Sequence, residues 1–423
     1  MTDKELGTRW PRYRERENPM RRMFILGVAW LAGPALGFAQ EAGLWVQVWS
    51  YDMPGEQQYL EQLAQVASTE IGEPVRIAFE KWDHAHDAIG QWGKDGQGPD
   101  LVVVADIWLA EYAPYFEPLE PLIRPELKDA FYPVLYDKGV YQDALLGLVW
   151  ATSTKALFYR TDLFEAAGMN PPKTWEEQLG AAVALNDPPR LYGLGLPGKP
   201  EYETDDNLFF YFWSAGGEFF DADGKCTLNS SAGVKALQFY VDLANKYQVT
   251  QPELTTWTRK ETRRLFEQGR LAMFATGPWG IEQCRKNSPG LKFGVVPLPV
   301  DKEQVTQIIT DHLVLMRYSP RKELARRFID IAYRDDQRLA YTTLGLIPEK
   351  KTVAQAPHFQ DDPHWKVFVD VIPYGRTIPL IQWEKIGIAI REAMYQALSA
   401  RMTPQDALDA AAARIDEIRA GQQ

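Results

Sequence analysis

Aromatic rings beside carboxylates recur along this chain, at places where a ligand could be held. Trp49 and Tyr51 stand at the end of the run Leu44-Trp45-Val46-Gln47-Val48-Trp49. Asp106 and Trp108 stand just past Leu101-Val102-Val103-Val104, and Trp279 follows Met273-Phe274-Ala275-Thr276-Gly277-Pro278. In open α/β sheets, ligands sit in the crevice beyond the carboxyl ends of strands. A flat ring covers the apolar C–H face of a pyranose, and carboxylates accept from its hydroxyls. Such charge-assisted bonds are worth ~1.5–3 kcal/mol each. One Trp is more often core than platform; several at strand ends argue for a binding surface.

Other chemistry is less well supported. Asp83-His84-Ala85-His86-Asp87 looks ligand-rich, but metal-binding His on one helix face sit at i, i+4 rather than i, i+2. A solvated helix start is the better reading, so no metal is expected. The chain has no Gly-x-Ser-x-Gly elbow and no Walker loop, and its one Gly-x-Gly-x-x-Gly spacing, at Gly193 to Gly198, has nothing helical close behind it, so no nucleotide cofactor is implied. Gly193-Leu194-Gly195-Leu196-Pro197-Gly198 reads as a turn. A secreted glycoside hydrolase is the rival of another class. It needs two carboxyl groups ~5–9.5 Å apart, and the many acidic residues identify no such pair. The expectation is a protein that is not an enzyme.

The elements that must position these residues follow from hydrophobic period. Leu44–Trp49 is apolar almost throughout, as in a strand covered on both faces. Leu60, Leu63, Ala64, Ala67 and Ile71 mark one helix face. Val75, Ile77 and Phe79 alternate as a strand, and residues 100–104 form another. This alternation implies a mostly parallel α/β sheet. A second unit begins near Ala151, with a strand at Leu157-Phe158-Tyr159 and a capping box at Thr174-Trp175-Glu176-Glu177. Helices are expected over 232–246 and 258–268. Phe293 to Pro299 reads as a strand closed by prolines, hence near an edge. A strand at 313–316 and a helix carrying Leu324, Phe328, Ile331 and Ala332 follow. Two helices end the chain, the last capped by Thr403-Pro404-Gln405-Asp406.

Composition sets the class. The chain has 423 residues, 45% hydrophobic and 24% charged, which suits two or three globular domains. A net charge of −11 disfavours nucleic acid as a partner. Residues 1–19 are polar and Arg-rich. Met20-Arg21-Arg22, the apolar run Met23 to Phe38, and Gly37-Phe38-Ala39 before Gln40 then make a secretory signal peptide. Residues 1–39 are thus a disordered leader plus signal peptide, and the mature protein is expected in the periplasm. Met1 and Met20 are both candidate starts, Met20 standing closer to the basic residues. Removing this +3 segment leaves 384 residues with a net charge of −14. In an oxidising compartment Cys226 and Cys284 are either one disulfide or two buried thiols; spacing does not decide.

Several stretches, in order, resemble a known family. They are Tyr159-Arg160-Thr161-Asp162-Leu163-Phe164 with Pro171-Pro172-Lys173-Thr174-Trp175, and Gly216-Gly217 with Asp221-Ala222-Asp223-Gly224-Lys225. Phe266-Glu267-Gln268-Gly269-Arg270-Leu271-Ala272-Met273 with Gly277-Pro278-Trp279 follows, then Leu344-Gly345-Leu346-Ile347-Pro348 and Thr403 to Leu408. The set resembles the extracellular solute-binding proteins of ABC importers, in the sugar-binding cluster that contains maltose-binding protein. The resemblance implies an α/β, two-lobed periplasmic-binding-protein-like fold with multiple crossing strands and a ligand cleft between lobes. Residues 40–151 and 309–349 would form lobe 1; residues 152–308 and 350–423 would form lobe 2. Crossings would fall near Ala151–Thr154, Ile308–Asp311 and Pro348–Thr352.

The same resemblance implies substrate-binding residues. Trp49, Trp279 and Trp383 match stacking positions. Tyr51 and Asp52 match the loop after the first strand, and Asp106 and Trp108 the loop after the Pro99-Asp100 strand. Asp206 and Arg376 match further cleft segments. Two departures stand near the hinge. Many members have Pro where Val149 or Trp150 stands, and Gly-Gly where Thr310-Asp311 stands, so Asp311 joins the candidate site. The implied function is a receptor that captures a sugar or oligosaccharide and delivers it to the transmembrane subunits of an ABC permease. It would act as a monomer and carry no cofactor. A polyol or glycerol-phosphate-type ligand is the alternative within the fold; Arg376 is the cation it would use.

Overall fold

The computed structural model describes residues 43–201, 203–381 and 383–421. The expected leader and signal peptide, with both candidate starts, lie outside the described residues. Strands β1 (Leu44–Trp49), β2 (Val75–Glu80) and β3 (Leu101–Ala105) pair in parallel, with Leu44 opposite Val75 and Val46 opposite Leu101. Helix Glu56–Ile71 links the first two and buries Leu60, Leu63, Ala67 and Ile71, the face its period predicts. β3 is buried on both sides, which is why its sequence is an unbroken Leu-Val-Val-Val.

The chain then leaves this sheet and returns. Strand β4 (Gly147–Ser153) leads out, and β5 (Ala156–Arg160) opens a second sheet between β6 (Met273–Thr276) and β7 (Phe293–Val296), all antiparallel. β7 is at the edge, where Pro297 and Pro299 leave no amide to pair. After β8 (Thr306–Gln307), strand β9 (Ile309–Met316) re-enters the first sheet antiparallel to β3, β4 and Phe116–Glu117. The six-stranded sheet is therefore mixed, a correction to the mostly parallel expectation. The strand–helix alternation reports only β1 to β3; β9 pairs with β3 across a long excursion that leaves no local pattern.

The crossing strands are laced together. Ile309 pairs with Ser153 and Thr310 with Thr152. The Thr306 hydroxyl accepts from Lys155 N and donates to Lys155 O, each at 2.8 Å. Ile347 N donates to Thr152 O at 3.2 Å, adding the third crossing. β8 pairs with a short strand, β10 (Gly375–Arg376).

Local signals mostly hold, with two adjustments. The Thr174 hydroxyl accepts from Glu177 N at 3.2 Å, but the Glu177 carboxylate takes the Lys173 N–H instead of completing a box. The full capping box lies at Thr258 and Glu261, with bonds of 3.1 and 2.9 Å. Cys226 and Cys284 are both free and buried, and burial pushes their thiols up to about 11 and about 12.

Behind the first sheet lies a buried ion pair. Arg338 and Glu349 are fully buried and joined by bonds of 2.7 and 3.0 Å. The guanidinium lies against the rings of Trp150, Tyr333 and Tyr341. Removing one member leaves the other charge buried without a counterion. Arg338→Met is therefore expected to lower the unfolding free energy by about 3–5 kcal/mol, read from urea unfolding. A loss below about 1 kcal/mol, the range of an exposed pair, would show that Glu349 finds another partner.

Candidate ligand site

A residue singled out from the sequence opens each of four helices. Asp106 starts helix Asp106–Tyr112, Asp206 starts Asp206–Ser214, Trp279 starts Trp279–Asn287 and Trp383 starts Trp383–Leu398. The free N–H groups and partial positive charge at helix starts favour carboxylates there. Asp106, Asp205, Asp206, Gln307, Ile378 and Trp383 line one gap. Asp106 comes from the first sheet's side, Asp205 and Asp206 from the second's, and Gln307 from the crossing segment.

On the first wall, Asp106 is almost fully buried and lies 3.4 Å from Lys138 Nζ. Burial raises the carboxyl's pKa and lowers the amine's, against their mutual attraction. Lys138 Nζ also donates to Ile378 O at 2.6 Å, tying the two sides of the gap together. Asp311 is half-buried and accepts a 2.8 Å bond from the Tyr51 hydroxyl. Burial and the nearby Asp106 charge push Asp311 up to about 8, although Tyr51 works the other way. Behind Tyr51, the Glu56 carboxylate accepts from Tyr51 N at 2.9 Å and from the Tyr341 hydroxyl at 3.2 Å. Burial raises Glu56 to about 7.

On the second wall, Gln307 Nε2 donates to Asp206 Oδ1 at 2.8 Å, and Arg391 pairs with Asp205 at 3.1 Å. Burial raises both aspartates. Lys155 Nζ lies 4.6 Å over the Trp279 ring, with Arg259 Cζ at 5.4 Å from it. Arg259 is held by Glu203 at 2.7 Å. The Trp279 ring folds over Gly277, where a Cβ would lie 2.4 Å from it, so only glycine lets the ring sit there. Lys155 Nζ, Asp206 Oδ2, Gln307 Oε1 and Thr276 Oγ1 are buried with no hydrogen-bond partner in the protein. Buried polar atoms in this state cost free energy until something bonds them.

Three sequence candidates fall elsewhere. Trp49 is a correction: it is 1% exposed, its indole donates to Val103 O at 2.7 Å, and it packs on Trp82 and Trp92. It is still inside the ladder, opposite Glu80, so its ring stays in the core. Arg376 turns away to an ion pair with Glu218. Asp52 is exposed on a left-handed turn, φ 55°, its amide bonded to the Ser50 hydroxyl. Trp108 is half-buried between Trp82 and His86, its indole N–H without a partner. Trp383 is 4% exposed against Phe209 and Phe219, so it forms a wall of the gap more than an open platform.

Lys138, Lys155, Asp205, Arg259 and Gln307 were not foreseen. Lys155 and Gln307 carried a signal: each is a lone long polar residue within a run otherwise apolar or small, Ala151 to Phe158 and Val305 to Ile309. Lys138 sits in an ordinary turn sequence and carried none.

With this geometry in place, the class is clear: a two-lobed α/β binding fold with its site at the lobe junction. The family of bacterial extracellular solute-binding proteins matches residues 60–338, and this chain belongs to it. A binding protein of Brucella abortus (strain 2308) is 30% identical over 331 residues, 76% of this chain and 80% of that one. A maltotriose-binding protein of Pyrococcus abyssi is 26% identical over 351 residues, 79% of this chain and 73% of that one. An ABC transporter solute-binding protein of Thermotoga lettingae, solved with α-D-tagatose, superposes with a TM-score of 0.76 at 26% identity, covering 89% of this chain and 99% of that one.

The buried acids make stability depend on pH, and the sign follows from linkage. An acid with a folded pKa above its unfolded ~4 keeps a proton that the unfolded chain has lost. For Asp311 at about 8 and Glu56 at about 7, stability therefore falls as pH rises from about 4 to about 8. The melting temperature is expected to drop between pH 5 and pH 8, and Asp311→Asn to reduce that slope. An unchanged slope in the variant would remove Asp311 as the proton holder.

Proposed function

We propose that this protein is a periplasmic receptor that captures a sugar or oligosaccharide between its lobes and delivers it to an ABC importer permease, with no catalytic step of its own. The supporting observation is the cluster of buried, unpartnered polar atoms around Trp279: Lys155 Nζ, Asp206 Oδ2, Gln307 Oε1 and Thr276 Oγ1. A vicinal diol both donates and accepts, so it fits such a mixed set, while a ring face lies against the indole. Relatives that bind maltotriose and tagatose point the same way. Lobe 1 would comprise 40–151 and 309–349, and lobe 2 would comprise 152–308 and 350–423. The crossing strands would act as the hinge, and the receptor would work as a monomer.

Ligand holds the closed arrangement only by contacts it makes to both lobes. Micromolar affinity needs about −8 kcal/mol, which a stacked ring and several charge-assisted bonds supply after ordering costs. A thermal-shift and tryptophan-fluorescence screen over mono- and oligosaccharides should find a ligand that raises the melting temperature. Asp206→Asn and Trp279→Ala should each weaken that ligand at least about tenfold, some 1.4 kcal/mol, while both variants melt cooperatively. Affinity unchanged in both would remove the site. Steady release of reducing ends from the ligand would make the protein a hydrolase.

A further inference from the structure

We propose that Asp311 makes the receptor select a ligand bearing a protonated amine, an amino sugar over its neutral parent, with the ammonium group docked against Asp106 and Asp311. The inference rests on the sugar-receptor reading and narrows its ligand.

Charge pairing around the gap is the ground for it. Asp106 is paired with Lys138, Asp205 with Arg391 and Glu203 with Arg259. Lys155 and Asp206 attract one another across the second wall. Among the described residues, Asp311 forms no ion pair; its partner is the uncharged Tyr51 hydroxyl. The groups facing it supply no cation that pairs with it. From the loop after β1 comes Tyr51, backed by Glu56 at the start of the helix Glu56–Ile71; from the start of the helix Asp106–Tyr112 comes Asp106, with Lys138 beyond. From β3 and β4 its register neighbours are Ala105 and Ala151, which carry no charge. Of these acids, Asp311 and, behind Tyr51, Glu56 have only uncharged partners among the described residues, and both stand on the first wall.

Two further features give direction. Tyr51 meets Trp82 edge-on at 5.8 Å, and Trp82 lies 5.7 Å from Trp108, so half-buried aromatic rings border the acids. Ring faces beside carboxylates favour a cation. The opposite wall carries Lys155 and Arg259 against Trp279, which repel an ammonium and leave the hydroxyl end of a ligand to Lys155 and Asp206. With a neutral sugar, Asp311 keeps its proton. With an amine, the ammonium replaces that proton, which leaves to solvent, and the charge of the site is conserved.

Calorimetry at pH 7, in two buffers of different ionisation enthalpy, tests this with matched pairs. The pairs are D-glucosamine with D-glucose, D-galactosamine with D-galactose, and a chitosan with a cellulose tetrasaccharide. The amine of at least one pair should bind at least about tenfold tighter than its parent, with release of up to one proton. Asp311→Asn should bring the two affinities within about threefold and abolish the release; Asp311→Ser replaces it if the Asn variant does not melt cooperatively. Neutral sugars binding as tightly as the amines, or a preference that survives both substitutions, overturns the selection. Binding of no sugar of either kind, in these pairs or in the wider screen, overturns the receptor reading itself.

Discussion

Burying charge without full compensation is the constraint on which the rest of this structure depends. A carboxylate or ammonium taken out of water loses its hydration, and the protein must return most of that through ion pairs, hydrogen bonds or helix ends. Around the gap, the return is incomplete by design of the sequence. Asp106 gains Lys138 and a helix start; Asp205 gains Arg391; Asp206 gains one amide from Gln307 and leaves an oxygen bare. Such an arrangement is stable enough to fold, yet remains short of partners that a polyhydroxylated guest can provide. Recognition and destabilisation are the same feature seen from two sides.

That balance needs a rigid frame. The first wall is anchored through Tyr51 to Glu56, from Glu56 to Tyr341, and from Tyr341 to the Trp150 indole at 3.1 Å. Beneath them the Arg338–Glu349 pair locks the helix Asp335–Thr342 to the turn that begins the last crossing. The chain from Tyr51 to Arg338 therefore connects the hydroxyl beside Asp311 to the buried core without an exposed step. The second wall is anchored differently, by apolar packing of Phe209, Phe219 and Trp383. One wall held by hydrogen bonds and one by ring packing meet at crossing strands laced through Thr306 and Lys155.

Much of the architecture was legible because local period reports local structure. β1 to β3, the helix after β1 and the edge placement of β7 all follow from spacing and proline positions. Candidate positions were legible where a residue type is wasteful in a core: an Asp or Trp soon after a buried strand has few structural uses, and Asp106 and Trp279 each open a helix there, whereas Asp206, which follows no strand, came only from the family resemblance. Trp49 misled for a definable reason. It is the last rung of the ladder rather than the first residue beyond it, a difference of one or two positions that apolar composition does not resolve. β9 was visible as a strand but not as an antiparallel partner of β3, since pairing across so long an interval leaves no periodic trace.

Asp311 illustrates how a departure from a family pattern acquires physical meaning. Where the family resemblance implies Gly-Gly, this chain carries Thr310-Asp311, and the aspartate lies close enough to Asp106 to feel its charge, beside a register shift between Asp311 and His312. A glycine pair there would leave room and no charge. An aspartate fills the room and adds a group that burial keeps protonated near neutral pH, so the wall can present either a donor or a negative charge. Its neighbour His312 has the reverse fate: fully buried between β3 and β4, it is driven down to about 3 and stays neutral, so it cannot serve as the missing counterion. Among the described residues no cation pairs with Asp311, and its proton does the work a counterion would otherwise do.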